Sequence, residues 1–410
     1  MPSDGQVAER PRVQDAAAEA RRPPAVPHAL RRILSLDDFE PVARKRLPRM
    51  LHGFVSGAVE TNASLRDNRE AFADWGFVPR VLANVADRNT NTTLLGRRHA
   101  APFGIAPMGA SALSAYRADL AFAGVAAKAN LPMILSASSL IPLEEVRAAG
   151  VTAWYQAYLP GEAPRIEALV DRVAAAGFDT FVLTADVPVS SNRENNVRNG
   201  YSLPLRPNPR LLWQGVSHPR WLFGTALRTL LRHGMPHFEN MDAYRGPPVL
   251  SANLVRAIGR RDQLAWEHLE LIRARWPGHL IVKGILAPED AKIARESGAD
   301  GVIVSNHGGR QLDGAISPLR ALPGVAAEAG GMAVMLDGGI RRGTDVLKAL
   351  ALGAGFVFVG RPFLYAAVVG GEPGVRHAIT LLWEEVHRNM AMLGITDLAQ
   401  MTPEMLLRIR

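Results

Sequence analysis

The chain contains no cysteine. That excludes disulfides, thiolate nucleophiles and Cys-ligated metal or iron–sulfur centres, and it fits a cytoplasmic compartment. Aromatic residues are only 6% of the chain, and no basic run carries aromatics within it. Despite a net charge of +8, this scatter argues against nucleic-acid binding, which needs a clustered basic face. The surplus charge favours anionic small molecules or an acidic membrane surface. No uninterrupted apolar run approaches the roughly 20 residues that a spanning helix needs. The first 29 residues are rich in Ala, Arg, Pro and Glu and lack an apolar core segment. They do not read as a secretory signal, and residues 1–32 are expected to form a disordered basic tail.

What the chain does have is apolar content, 48% of 410 residues, enough for one large barrel or two ordinary domains. From Pro102 onward, eight short apolar runs read as strands buried on both faces. They are Phe103–Pro107, Met133–Ser136, Ala153–Tyr158, Thr180–Ala185, Leu280–Gly284, Gly301–Ser305, Ala333–Leu336 and Gly355–Gly360. Helix-length segments lie between most of them, including Asp119–Ala129, Arg165–Ala176, Pro288–Ser297 and Gly343–Leu352. Eight such units in residues 33–410 predict an α/β fold, a TIM (β/α)8 barrel, rather than an open sheet. Two short helices, Ser35–Leu47 and Pro48–Gly57, should precede it, with Ser35 and Asp38 as a helix-start signal. About ninety residues separate strands four and five, too many for one crossover. Residues 204–250 of that interval therefore read as an insertion, a lid or a docking element.

The run Ser305-Asn306-His307-Gly308-Gly309-Arg310-Gln311 follows the sixth strand. A base, His307, and a fixed cation, Arg310, thus fall just past a strand end. The glycines between them let the backbone pass close to a ligand. That arrangement suits removal of a proton beside a carboxylate. A lone histidine after a strand is most often an incidental turn residue; its neighbours here argue for a site.

Functional residues of such barrels gather at the C-terminal strand ends. Those ends carry Ala106-Pro107-Met108-Gly109, Ser136, Gln156 with Tyr158, and Thr184-Ala185-Asp186 with Arg193 beyond. Then come Lys283-Gly284, the Ser305 run, Asp337-Gly338-Gly339-Ile340-Arg341 and Gly360-Arg361. Gly338, Gly339 and Gly360 free backbone N–H groups to approach an anion, and Arg341 and Arg361 add charge-assisted hydrogen bonds. These last two loops are the common phosphate site of the architecture. Gln156, Thr184 and Lys283 can hydrogen-bond a flat, heteroatom-rich ring. No metal centre is expected.

Together these motifs resemble the FMN-dependent L-2-hydroxy acid oxidase and dehydrogenase family, which includes glycolate oxidase, L-lactate dehydrogenase and mandelate dehydrogenase. The supporting matches are Leu183–Asp186, Val282–Gly284, Leu336–Gly343 and Val359–Pro362, and the resemblance spans roughly residues 33 to 400. It implies that His307 is the base, paired with Asp186, and that Tyr158 hydrogen-bonds the substrate hydroxyl. Arg310 and Arg193 would hold the substrate carboxylate. FMN would be contacted by Ala106, Pro107, Met108, Ser136, Gln156, Thr184, Lys283 and Ser305. Its ribityl and phosphate end would meet Asp337, Gly338, Gly339, Arg341, Gly360 and Arg361. The resemblance also implies a homotetramer.

One position departs. Many members carry a tyrosine in the N-terminal segment that hydrogen-bonds the substrate carboxylate; that position is Phe54 here. A hydrogen bond to a charged group contributes about 1.5–3 kcal/mol, so its loss means weaker carboxylate binding or a bulkier, more apolar substrate. Phe54, Met108 and Leu140 point toward the second.

The reduced flavin needs an acceptor, a quinone or another carrier in a dehydrogenase, or oxygen in an oxidase that makes hydrogen peroxide. Ala106-Pro107-Met108-Gly109 resembles the bacterial dehydrogenase branch. Within the insertion, Trp213, Trp221, Leu222, Phe223, Leu227, Leu230 and Leu231 are interleaved with Arg220, Arg228 and Arg232, and Arg210 lies just before. That mixture suits a peripheral membrane contact, on the inner face of the cytoplasmic membrane; a lid packed on the barrel is the plainer alternative. Two readings of another class are an FMN-barrel isomerase and a non-catalytic flavin-binding protein. Neither explains the Ser305–Gln311 run beside Asp186 and Arg193.

Overall fold

The computed structural model describes residues 26–410 apart from 151, 203, 206–208 and 252–259; the side chains of 210 and 211 are likewise outside the description. The expected tail thus lies outside the described residues as far as 25. Its proposed end at 32 is too late, because Leu30 is buried in the core.

The eight barrel strands are β1 (Phe103–Ile105), β2 (Met133–Ser136), β3 (Ala153–Ala157), β4 (Thr180–Thr184), β5 (His279–Ile285), β6 (Gly301–Val304), β7 (Ala333–Asp337) and β8 (Phe356–Val359). Each pairs in parallel with its chain neighbour, and β8 closes on β1 with Val357 opposite Phe103. Parallel strands under helices have no wet face, which is why these segments read as continuous apolar runs. Helices Ala118–Lys128, Ala163–Ala175, Pro288–Glu296 and Gly343–Ala351 stand where the sequence places them. The helix Arg361–Leu393 is broken at Gly371, whose φ of 56° is outside helical space.

The N-terminal helices Phe39–Arg46 and Arg49–Ser56 also form as expected. The Asp38 carboxylate accepts from the Ser35 N–H at 2.9 Å, satisfying a donor that the helix start leaves open. Two features were not foreseen. Strand Trp75–Phe77 pairs with Leu406–Arg408, tying the segment ahead of the barrel to the residues that follow it. The hairpin Thr92–Leu94 with Arg97–His99 carries Leu94 into the apolar cluster inside the barrel.

Side chains alternate along a strand, so residues two apart share a face. The inward residues Ile134, Trp154, Val182, Ile281, Ile303 and Met335 form one apolar layer. Two positions later on the same face come Ser136, Gln156, Thr184, Lys283, Ser305 and Asp337, all buried. The barrel is therefore packed below and polar above. Each polar residue needs a partner, because an unpaired buried polar group is costly.

Candidate active site

The polar layer underlies an open cleft at the C-terminal strand ends. Its walls include Ala106, Pro107 and Met108 after β1, Gly338–Arg341 after β7, and Gly360 and Arg361 after β8. Phe54 and Val55 reach it from the N-terminal helix Arg49–Ser56.

His307 stands at φ 60°, a backbone conformation rare for a side-chain-bearing residue. Gly308 and Gly309 follow at 66° and 74°. A Cβ at Gly309 would lie 2.6 Å from the Leu65 backbone nitrogen, so this tight turn tolerates only glycine. The turn aims the imidazole into the cleft. Nδ1 lies 2.8 Å from Asp186 Oδ1, and Nε2 lies 3.2 Å from the Tyr158 hydroxyl. With Nδ1–H donated to Asp186, Nε2 is left as an acceptor beside Tyr158.

Burial lowers the His307 pKa, and Asp186 only partly reverses this. Burial alone would raise the Asp186 carboxyl, but attraction from His307 and Lys283 and hydrogen bonding hold it below its ordinary value. The pair is thus a neutral imidazole on an ionised carboxylate, the state a general base requires.

Lys283 Nζ donates to Ser305 Oγ at 2.8 Å and lies 3.1 Å from Asp337 Oδ2. Ser305 Oγ donates to Asp337 Oδ1 and accepts from the His307 N–H at 3.0 Å. Burial opposes the Lys283 charge, yet Asp337 and Asp186 outweigh it and raise the pKa. The cleft floor therefore carries a fixed ammonium. Ser136 Oγ donates to Gln156 Oε1 at 3.0 Å.

Four further cations are crowded nearby. Arg310 Nη1 donates to the carbonyls of Phe54 and Gly57 at 2.8 and 2.7 Å. Burial, then repulsion from Arg193 and Arg361, push the Arg310 guanidinium well below its usual range. A guanidinium keeps its proton in proteins, so the result is uncompensated positive charge awaiting an anion. Arg193 donates to Gln311 Oε1 at 2.6 Å. Arg361 is held by the carbonyls of Val55 and Gly308 at 3.0 and 2.9 Å. Arg341 is pushed down to about 10 by burial and by repulsion from Arg69 and Arg361.

These residues fit FMN. The Gly338–Gly339 backbone with the buried Arg341 and half-buried Arg361 guanidiniums would form a cradle for a phosphate dianion. The Thr184 hydroxyl is buried with no partner among the described residues, and a ring heteroatom would pair with it. Gly339, at φ 84°, passes so close to Asn68 that a Cβ would lie 1.9 Å from its carbonyl oxygen. Gly339→Ala is therefore expected to cost about 3 kcal/mol or more. It should also release flavin, which the melting temperature and the ratio of flavin to protein absorbance will read.

The family model described as FMN-dependent dehydrogenase matches residues 43–408. The chain belongs to that family. FMN is its cofactor, and its activity is 2-hydroxy acid oxidation of the dehydrogenase or oxidase type. It is 36% identical to (S)-mandelate dehydrogenase of Pseudomonas putida over 378 residues, 91% of this chain and 94% of that one. It is 38% identical to L-lactate dehydrogenase of Xanthomonas euvesicatoria pv. vesicatoria, over 92% of this chain and 97% of that one. A crystal structure of the monotopic membrane protein (S)-mandelate dehydrogenase superposes with a TM-score of 0.84. That pair is 34% identical and covers 92% and 100% of the two chains. A mandelate oxidase structure superposes with a TM-score of 0.74 at 35% identity, covering 89% and 96%.

Of the anticipated residues, sixteen line the cleft directly: Phe54, Ala106, Pro107, Met108, Gln156, Tyr158, Thr184, Lys283, His307, Arg310, Asp337, Gly338, Gly339, Arg341, Gly360 and Arg361. Asp186, Ser136, Ser305 and Arg193 stand behind them, joined through His307, Gln156, Lys283 and the Arg310 carbonyl. Leu140 is not among the lining residues; it is buried on the wall of a separate pocket that it shares with Ala112, Thr229 and Met235. Sequence reasoning missed Arg261, whose guanidinium stacks 4.6 Å over the Tyr158 ring. It also missed Asn68, which exchanges two amide hydrogen bonds with Asn306 at 2.8 and 2.7 Å. Tyr201, stacked on Phe54, was overlooked as well.

Proposed function

We propose that the chain oxidises an L-2-hydroxy acid to the 2-oxo acid, with His307 as the base, and passes the electrons to a quinone-type acceptor. The observation that carries this reading is the geometry at His307. Nδ1 is anchored on Asp186 at 2.8 Å, so Nε2 faces Tyr158 and the cleft beside half-buried Arg310.

Arg310 and Arg193 bind the substrate carboxylate, whose charge relieves the repulsion between them. The Tyr158 hydroxyl, kept protonated by burial, hydrogen-bonds the substrate hydroxyl. His307 Nε2 then takes a proton from the substrate. The imidazolium so formed is held by the Asp186 carboxylate, as a buried counter-charge does for a protonated histidine. Bound FMN would supply the acceptor for the two electrons and the second hydrogen. Lys283 holds a fixed positive charge in the cleft floor and would stabilise negative charge on a ring bound there.

Phe54 and Met108 on the wall support a substrate side chain bulkier than that of glycolate. The reading is tested by steady-state assay of glycolate, L-lactate, (S)-mandelate and longer 2-hydroxy acids, each with a quinone analogue and with oxygen. Mandelate or a longer acid with the quinone should be the best pair. An oxygen-using oxidase releasing hydrogen peroxide is the second reading, favoured by the likeness to mandelate oxidase. Equal turnover with oxygen alone would select it. No turnover of any 2-hydroxy acid would remove both.

Peripheral membrane contact belongs to the same proposal. The insertion is pinned by Gln214, which accepts from the Met50 N–H at 2.9 Å, and by Trp221, which donates to the Leu113 carbonyl at 2.7 Å. Leu212, Trp213, Val216, Phe223, Leu230 and Leu231 remain exposed; Leu231 is 85% accessible. Arg220 and Arg232 are exposed in the same segment. Apolar side chains beside arginines match an interfacial helix on an anionic surface. No helix among the described residues is long and apolar enough to cross a membrane. Each buried large side chain contributes about 1.5–3 kcal/mol. The double variant Trp213→Glu with Leu231→Glu should therefore lose co-sedimentation with phosphatidylglycerol vesicles and retain turnover with a soluble dye. Undiminished sedimentation would rule this face out.

A further inference from the structure

Phe54 cannot donate the hydrogen bond that the resemblance assigns to its position, yet a phenol lies against it. Tyr201 follows the short helix Glu194–Asn199, and Gly200 turns the chain at φ 79°. The Tyr201 N–H donates to the Asn196 carbonyl at 2.8 Å, which fixes the turn. The Tyr201 ring stacks on Phe54 with centroids 4.3 Å apart and planes 20° from parallel. The same Phe54 ring has the Arg310 guanidinium 5.1 Å from its centroid. Tyr201 is only 5% exposed, and its hydroxyl oxygen is buried with no hydrogen-bond partner among the described residues.

A buried hydroxyl without a partner needs an explanation, because native structures pair such groups. Packing alone does not supply one: phenylalanine would stack on Phe54 as well and leave nothing unsatisfied. The surroundings say what partner is missing. Burial raises the Tyr201 pKa, while the nearby Arg310 and Arg193 guanidiniums pull against that rise. The phenol thus stays protonated, and its neighbouring charged groups are donors. The acceptor that completes this corner is an anion that both guanidiniums also attract.

We propose that Tyr201 donates a hydrogen bond to the carboxylate of the bound 2-hydroxy acid, supplying the hydroxyl that Phe54 lacks. This rests on the substrate class proposed above. The carboxylate contact has moved from one ring to the ring stacked upon it. Substrate affinity and the apolar character of Phe54 are then compatible. The phenol holds the carboxylate, and the phenyl edge is free to meet the substrate's side chain.

The test is Tyr201→Phe in the FMN-loaded enzyme. The KM for (S)-mandelate and the Kd for phenylglyoxylate, read from the perturbed flavin spectrum, should both rise by roughly 10- to 100-fold. The turnover number should change little, as befits a contact made equally in ground and transition states. Without ligand, the melting temperature should hold or rise, since an unsatisfied hydroxyl has been removed. The exchange variant Phe54→Tyr with Tyr201→Phe keeps both rings and returns the hydroxyl to its neighbour, so it should regain most of the lost affinity. Parent-like KM and Kd in Tyr201→Phe would overturn the proposal. So would loss of turnover number with unchanged Kd, which would place Tyr201 in the chemical step. A parent enzyme whose flavin is reduced by no L-2-hydroxy acid and perturbed by no 2-oxo acid would overturn the substrate class instead, and this inference with it; if another 2-hydroxy acid is the substrate, the same measurements are made with it and its 2-oxo acid.

Discussion

His307→Gln should remain a yellow, FMN-loaded protein whose flavin is reduced by substrate roughly 10⁴-fold more slowly, the upper end of what a positioned base contributes. The imidazole does not hold the phosphate end of the cleft, so flavin content should be kept. Glutamine can still reach Asp186 but cannot take up a proton. The pH profile of the parent tests the same point. Burial lowers the His307 pKa, and the base must be unprotonated to act. The rate constant for flavin reduction at low substrate should therefore rise with pH through a value below the ordinary imidazole pKa, then level near neutrality. In His307→Gln that acid limb should vanish. An unchanged acid limb in the variant would assign the titration to another group.

Arg310→Met is expected to lower kcat/KM by about two to three orders of magnitude, since truncating one partner of a buried charged contact costs about 2–5 kcal/mol. The loss should appear mainly in KM. Arg310 also clamps the 54–57 segment through two carbonyls, so part of the effect will be structural. Arg310→Lys separates the two contributions. It keeps the charge but loses the planar fork that serves carboxylate and backbone together. An intermediate KM with a normal melting temperature is the expected outcome. If Arg310→Met bound phenylglyoxylate as tightly as the parent, the carboxylate would have to lie elsewhere.

The barrel was legible because parallel strands buried on both faces leave uninterrupted apolar runs, such as Gly301–Val304 and Phe356–Val359. The strand ends were legible because a polar residue closing an apolar strand has little structural use. Lys283 and Asp337 become a pair only when β5 and β7 flank β6. What stayed hidden depends on contacts between distant segments. Tyr201 belongs to no run or motif, and its meaning comes from a ring 147 positions earlier, Phe54. Asn68 and Asn306 are unremarkable polar residues until a helix of the N-terminal segment docks on the His307 turn. Leu140 was misplaced because apolarity near a loop does not say which way the loop faces. The hairpin carrying Leu94 is too short for a periodic signal, so the filling of the barrel's interior cluster went unforeseen.

The colour of the flavin in the absence of oxygen tests this assignment most directly. The purified protein should carry an oxidised FMN spectrum. Anaerobic addition of (S)-mandelate or L-lactate should bleach it, and the opposite enantiomers should not. A colourless protein that takes up no FMN, or a flavin left oxidised by every L-2-hydroxy acid, would contradict it.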